Sequence, residues 1–156
     1  MAAPPPLPAS LVPELDVADL DETLTFYVGV IGFQVVFERP RQRFAYLVRE
    51  RAELMVQDGN GPGRRFRTAP LERPFGRGIN LQVAVTSVDD LYEEVLAAGV
   101  EIVAPIEERS YDVDVIAPSG RWSRPGPTRA GNRQFVVADP DGYLLRFFTS
   151  LGSPPV

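Results

Sequence analysis

The side chains that could do chemistry in this chain are carboxylates, carboxamides and one guanidinium, set at alternate positions in short apolar stretches. Glu14, Glu53, Asn80, Gln82 and Arg146 each stand between apolar neighbours, and Met55 and Phe148 occupy equivalent places. Their oxygens and N–H groups can orient a polar ligand, and the acids could hold a hard cation such as Mg²⁺ or Mn²⁺. Neither histidine nor cysteine occurs in the 156 residues. That removes imidazole bases, histidine-based zinc sites, thiolates and disulfides together. Proton transfer would fall to Glu14 or Glu53 with a raised pKa, and no nucleophile–base pair is visible. Ring contacts to a ligand would come from Phe148, Tyr111 and Trp122, the single tryptophan. Each aromatic pair adds about 0.5–1.5 kcal/mol beyond its buried area.

The elements that must carry these residues occur twice. Asp19 is placed to cap a helix, with Glu22 three residues on, and Ser87 with Asp90 repeats the arrangement. Each helix runs to a glycine, Gly32 or Gly99, that fits a C-cap. A strand precedes each helix and three follow. The first set is 33–38, 44–48 and 53–57, and the second is 101–106, 134–138 and 143–149. Within the strands one face is apolar: Leu15 and Val17, Leu54 and Val56, Leu81 and Val83, Leu145 and Phe147. The opposite face is mixed and carries every polar residue named above. Such a face either meets solvent or lines a pocket with a few orienting polar groups.

The pattern predicts an α+β protein of two βαβββ modules, at 11–57 and 78–150. Residues 58–77 read as a linker, 107–131 as a loop insertion in the second module, and 1–10 and 151–156 as tails. The turn Asp139-Pro-Asp-Gly142 has type I chemistry and predicts a hairpin into the strand that bears Arg146. The arginines at 64, 65, 67, 73 and 77 read as a solvated basic linker, with an anion or partner contact as the alternative. Gly59-Asn-Gly-Pro-Gly63 lacks the lysine and hydroxyl of a phosphate loop.

A net charge of −5 disfavours nucleic acid and mildly favours a cationic ligand. No run approaches a membrane span, and the N-terminus lacks the pattern of a secretory signal. A cytoplasmic protein with no membrane partner is the expectation.

The ordered set Val17-Ala-Asp-Leu-Asp-Glu-Thr-Leu-Thr-Phe-Tyr27, Ile31-Gly-Phe33, Gly78-Ile-Asn-Leu-Gln-Val-Ala-Val85 and Asp139-Pro-Asp-Gly142 resembles the vicinal oxygen chelate superfamily. That superfamily includes glyoxalase I, extradiol dioxygenases, fosfomycin resistance proteins and bleomycin resistance proteins. Arg43-Phe-Ala-Tyr-Leu47 and Leu71-Glu-Arg-Pro-Phe-Gly-Arg-Gly-Ile-Asn80 are similar to its bleomycin-resistance-like branch. The resemblance implies curved mixed sheets enclosing a cleft, helices on the outer faces, and a homodimer. It also implies where catalytic relatives hold metal: near Val12 or Glu14, near Asn80 or Gln82, at Glu53 or Met55, and at Arg146 in place of a final Glu. A guanidinium about 5 Å from a divalent ion at an effective dielectric near 20 would repel it by roughly 7 kcal/mol. The expectation is therefore no metal, no cofactor and no catalytic residue. The ligand-binding set is Glu14, Glu53, Met55, Asn80, Gln82, Tyr111, Trp122, Arg146 and Phe148, holding a small aromatic molecule such as a bleomycin-type antibiotic. Arg146 reads as a partner of Glu14 or Glu53, or as a ligand contact. The alternatives are a superfamily enzyme using an oxygen-ligated metal or none, and a biosynthetic chaperone or carrier.

Overall fold

The structure, a computed structural model, describes residues 9–113 and 128–152. It consists of two units with the same element order. The first contains β1 (Glu14–Val17), α1 (Leu20–Leu24), β2 (Gln34–Arg39), β3 (Phe44–Arg49) and β4 (Ala52–Asp58). The second contains β5 (Asn80–Ala84), α2 (Val88–Ala97), β6 (Ile102–Val113), β7 (Thr128–Ala138) and β8 (Leu144–Gly152). Each forms one four-stranded mixed sheet, ordered β1-β4-β3-β2 and β5-β8-β7-β6. In each, the first strand pairs parallel with the last and the remaining pairings are antiparallel. The expected α+β class with two βαβββ modules is what the backbone shows. Among the described residues no helix is long and apolar enough to cross a membrane.

Local chemistry sets the helix ends. The Asp19 carboxylate accepts hydrogen bonds from the backbone N–H of Asp21 and Glu22, at 2.8 and 3.2 Å. Ser87 accepts from Asp90 N–H at 3.4 Å. These satisfy donors that a helix leaves unpaired in its first turn. After Leu24 the first helix widens into a π-helical stretch, Thr25–Val30, which buries Phe26 and Tyr27.

In the first unit, Leu15, Val17, Ala45, Leu47, Leu54 and Val56 form the inner face of the sheet, packed with Leu20, Phe26, Tyr27, Ile31 and Phe33. In the second, Val83, Phe135, Val137, Leu145 and Phe147 bury against Val88, Leu91 and Val95 of α2. The apolar alternation of the strands therefore marks the core. Residues 58–79 and the turn Asp139–Tyr143 belong to the first unit.

That turn closes as its sequence predicts, with Gly142 N–H donating to the Asp139 carbonyl at 3.0 Å. The Asp139 carboxylate accepts from the N–H groups of Asp141 and Tyr143 and from the Tyr27 hydroxyl, all at 2.9 Å. Burial pushes the Asp139 carboxyl above its usual range, against the pull of those hydrogen bonds, and drives the Tyr27 phenol up strongly. Asp141 receives Ala18 N–H at 3.0 Å, and Arg73 Nη2 lies 2.8 Å from its other oxygen without hydrogen-bond alignment. Gly142 has φ +96°, and a Cβ there would lie 2.5 Å from Pro74 Cβ. Only glycine fits both demands.

Three expectations need correction. β6 runs to Val113 and β7 starts at Thr128, so both ends of the expected insertion at 107–131 are hairpin arms. Those arms were hidden because Glu107-Glu-Arg-Ser110 offers no apolar alternation; the strand pairing sets Glu108 opposite Arg133 and Ser110 opposite Gly131. Tyr143 lies in the turn, not in the last strand, because its hydroxyl is drawn to the Asp16 carbonyl at 2.8 Å. The segment 58–77 is largely exposed, as a solvated linker would be, but it is anchored: Arg65 and Arg67 tie it to the first unit.

Candidate ligand-binding site

The mixed face of the first sheet is assembled by register. Glu14 lies opposite Met55 and Asp16 opposite Gln57. Across β4 and β3, Glu53 faces Val48, Met55 faces Tyr46, and Gln57 faces Phe44. Across β3 and β2, Tyr46 faces Phe37 and Phe44 faces Arg39. Directly opposed residues share a face, so acids gather at the β1–β4 side and rings at the β3–β2 side. Phe37 stacks on Tyr46 with centroids 5.0 Å apart and on Phe44 at 6.0 Å. The Arg39 guanidinium sits 4.5 Å above the Phe44 ring.

The loop after β4 folds over the acidic side. Asp16 is 8% exposed. One of its oxygens accepts from Gln57 Nε2 at 2.7 Å and the other from Arg67 Nε at 2.6 Å. Arg67 Nη2 also donates to the Gly59 carbonyl. Arg65 donates to the carbonyls of Asp58, Pro62, Arg64 and Gln42 at 3.0–3.2 Å. The loop so held leaves two pockets on this face. One, of about 250 Å³, is lined by residues including Glu14, Asp16, Arg67, Leu71 and Tyr143. The other, of about 300 Å³, is lined by residues including Arg39, Gln42, Phe44, Arg64 and Arg65. Glu14, Gln57 and Phe66 are walls of both. Phe66 is 76% exposed, with Arg64 over its ring at 4.9 Å. Glu14 is exposed, and its carboxylate has no hydrogen bond or ion pair among the described residues.

Glu53 is engaged. The Tyr46 hydroxyl donates to it, and that hydrogen bond, with burial adding, pushes the Tyr46 phenol up to about 12. Burial, reinforced by the charge of Asp16, pushes Tyr143 up to about 12 as well. Neither phenol is poised to give up a proton near neutral pH.

On the second unit's mixed face, Gln82 lies opposite Arg146, Asn80 opposite Leu144, and Gln134 opposite Phe148. Arg146 Nη2 donates to Gln82 Oε1 at 2.5 Å. Parallel pairing sets this amide beside Arg146, a partner within its own sheet that the sequence reading, with Glu14 or Glu53 as candidates, did not name. Two buried atoms here have no hydrogen-bond partner among the described residues: Arg146 Nε and Gln134 Oε1. Gln134 is 6% exposed.

The structure therefore divides the predicted set. Glu14, Glu53 and Met55 share the face of one sheet, and Asn80, Gln82, Arg146 and Phe148 share that of the other. Tyr111 stands half-exposed on β6, opposite Ala130 on the extended arm of the hairpin. Trp122 lies outside the described residues. Sequence reasoning missed Phe66, Arg67 and Gln134 as site residues. It also missed the ring cluster Phe37, Phe44 and Tyr46, although the alternation of Phe44 and Tyr46 was a usable signal.

The side chains that the resemblance offers as metal ligands are partly engaged within their own units. Among the described residues no three acids, histidines or cysteines converge on a point. Glu53 is held by Tyr46, and the Gln82 oxygen is occupied by the Arg146 guanidinium.

Residues 12–117 match the family model described as Glyoxalase/Bleomycin resistance protein/Dioxygenase superfamily. Among solved structures, TioX from Micromonospora sp. ML1 is 25% identical with a TM-score of 0.62, over 92% of this chain and 99% of that one. A glyoxalase/bleomycin resistance protein/dioxygenase from Alicyclobacillus acidocaldarius is 17% identical with a TM-score of 0.59, over 91% of both chains. A glyoxalase/bleomycin resistance protein from Streptomyces sp. CB03234 is 20% identical with a TM-score of 0.57, over 88% of this chain and 97% of that one. No protein of curated function matches in sequence.

Proposed function

This chain belongs to the glyoxalase/bleomycin resistance protein/dioxygenase superfamily, and from that premise we propose that it binds a small aromatic molecule bearing a positive charge and sequesters it unchanged. A bleomycin-type antibiotic is the proposed ligand class. The observation that carries this reading is Glu14. Its carboxylate, unpaired among the described residues, stands on the wall of a pocket that also offers Phe66, Leu71 and the ring of Tyr143. An exposed carboxylate beside apolar walls can take a charge-assisted hydrogen bond from a ligand cation whose rings cover the aromatic side chains. Sequestration needs no catalytic group, only micromolar affinity or better, about −8 kcal/mol.

The test is calorimetric titration of the purified protein with copper-loaded bleomycin, with product analysis and elemental analysis of the protein alongside. One-to-one saturation without product is expected, and Glu14→Gln should weaken binding about tenfold, the value of one hydrogen bond to a charged group. Turnover of the ligand, or an affinity indifferent to Glu14→Gln, would reject the proposal. Stoichiometric Mn or Mg would favour the enzyme reading instead.

A further inference from the structure

The two pockets that share Glu14, Gln57 and Phe66 carry opposite charge. The smaller has two carboxylates, Glu14 and Asp16, against the single guanidinium of Arg67. The larger has three arginines, Arg39, Arg64 and Arg65, against Glu14 alone. In a chain of net charge −5, three arginines around one pocket are not background.

Their bonding states differ. Arg65 spends its N–H groups on the backbone carbonyls of the loop, so its charge is fixed in place. Arg39 and Arg64 make no hydrogen bond or ion pair through their guanidinium groups among the described residues. Each lies instead over a ring: Arg39 over Phe44 at 4.5 Å, Arg64 over Phe66 at 4.9 Å. A guanidinium drawn to a ring by cation–π attraction keeps N–H donors along its edge, and those of Arg39 and Arg64 have no acceptor among the described residues. An edge of that kind fits the paired oxygens of a carboxylate, phosphate or sulfonate.

We infer that the pocket between Arg39 and Arg64 is an oxyanion subsite, and that the ligand of this face is an aromatic molecule with an anionic group as well as a cationic one. The inference rests on the reading of this face as a small-molecule site. It adds the second charge, in the pocket that shares Glu14, Gln57 and Phe66 with the one lined by Asp16 and Arg67. The ligand's aromatic body bridges the pockets along their shared wall, with its cation toward Glu14 and its oxyanion toward Arg39 and Arg64.

Two probes separate the subsites: 2-naphthoate and 2-naphthylmethylamine, which share a ring system and differ in charge. Each is titrated by calorimetry against the wild type, Arg39→Gln, Arg64→Gln and Glu14→Gln. Arg51→Gln, in the turn between β3 and β4 and outside the pocket, controls for net charge. The arginines of the pair are not part of the core, and circular dichroism checks that each variant folds. Arg39→Gln and Arg64→Gln should each weaken naphthoate about tenfold and leave the amine unchanged or tighter. Glu14→Gln should weaken the amine and not the naphthoate. Naphthoate affinity that falls no further in Arg39→Gln and Arg64→Gln than in Arg51→Gln overturns the oxyanion subsite. Saturation by the amine alone also overturns it, while sparing the proposed function. Saturation by naphthoate alone, lost in the two variants, supports the subsite and rejects the cation at Glu14. Failure of both probes rejects both.

Discussion

The Asp16–Arg67 contact sets the floor of the smaller pocket and the position of the loop above it, so breaking it is the most informative perturbation. Arg67→Met keeps much of the aliphatic stem and removes the charge. It leaves Asp16 buried with only Gln57 Nε2, at 2.7 Å, as a side-chain donor. Losing one partner of a fully buried pair costs about 3–5 kcal/mol, whereas a surface pair is worth about 0–1 kcal/mol. Here the side chains are 9% exposed for Asp16 and 28% for Arg67, which places the pair between those limits. We expect Arg67→Met to destabilise the protein by about 2–3 kcal/mol, a fall in Tm of about 5–10 °C for a chain of this size.

A double-mutant cycle tests the reasoning. Asp16→Asn removes the charge but keeps an acceptor for Gln57. It should cost less than Arg67→Met, and the double variant should be more stable than the sum of the singles by about 1.5 kcal/mol or more. Urea unfolding, with matched slopes across the four proteins, gives the energies. A second readout is limited proteolysis, which should cut between Gly59 and Glu72 faster in Arg67→Met than in wild type. Coupling below about 0.5 kcal/mol would fall within ordinary additivity and would mean that the carboxylate and guanidinium do not hold the loop.

Three further outcomes are expected. Tyr46→Phe should delete an ionisation near pH 12 from the absorbance titration at 295 nm. Because the folded phenol is raised above its unfolded value near 10, its contribution is complete below about pH 10 and is lost as pH rises toward 12, so the stability gap between variant and wild type should narrow over that window. Gln134→Leu removes a buried oxygen that has no partner among the described residues, so unfolding should show little loss of stability or a gain, and a large loss would mean that Gln134 has a structural partner. Gly142→Ala forces a side chain into φ +96° and against Pro74. It should cost at least about 2 kcal/mol by urea unfolding, and a neutral result would show that the Asp139–Tyr143 turn is not seated as described.

Much of the fold was legible because its signals are local. Asp19 and Ser87 announce helices within one turn of themselves, and Leu54 and Val56 declare the inward face of β4 by alternation alone. The doubled order of elements follows from those signals read in sequence. The same logic failed for the arms 107–113 and 128–131, where stretches such as Glu107-Glu-Arg-Ser110 carry no apolar face. Their strand character comes from pairing with each other, which no local pattern encodes. Within the site, alternation correctly put Glu14, Glu53 and Met55 on one face. It could not say that Tyr46 would occupy Glu53 and leave Glu14 free, because that depends on which residue β3 sets beside β4.

The loop arginines show the same divide most sharply. In sequence Arg64, Arg65 and Arg67 are one basic run in an acidic chain, and a run invites a single interpretation. In the structure they have three fates. Arg67 is neutralised by Asp16 at 2.6 Å, Arg65 is consumed by backbone carbonyls, and Arg64 remains on the Phe66 ring with its donors open. Asp16 lies 51 residues from Arg67, beyond any window in which charges are averaged. Net charge predicted a cationic ligand, and that inference treats the surface as uniform. Adjoining pockets that share Glu14 and Phe66, one adding Asp16 and Arg67 and the other three arginines, would instead sort ligands by where their charges stand. Two molecules of equal net charge would then bind differently according to the spacing and order of their ionic groups about an aromatic body.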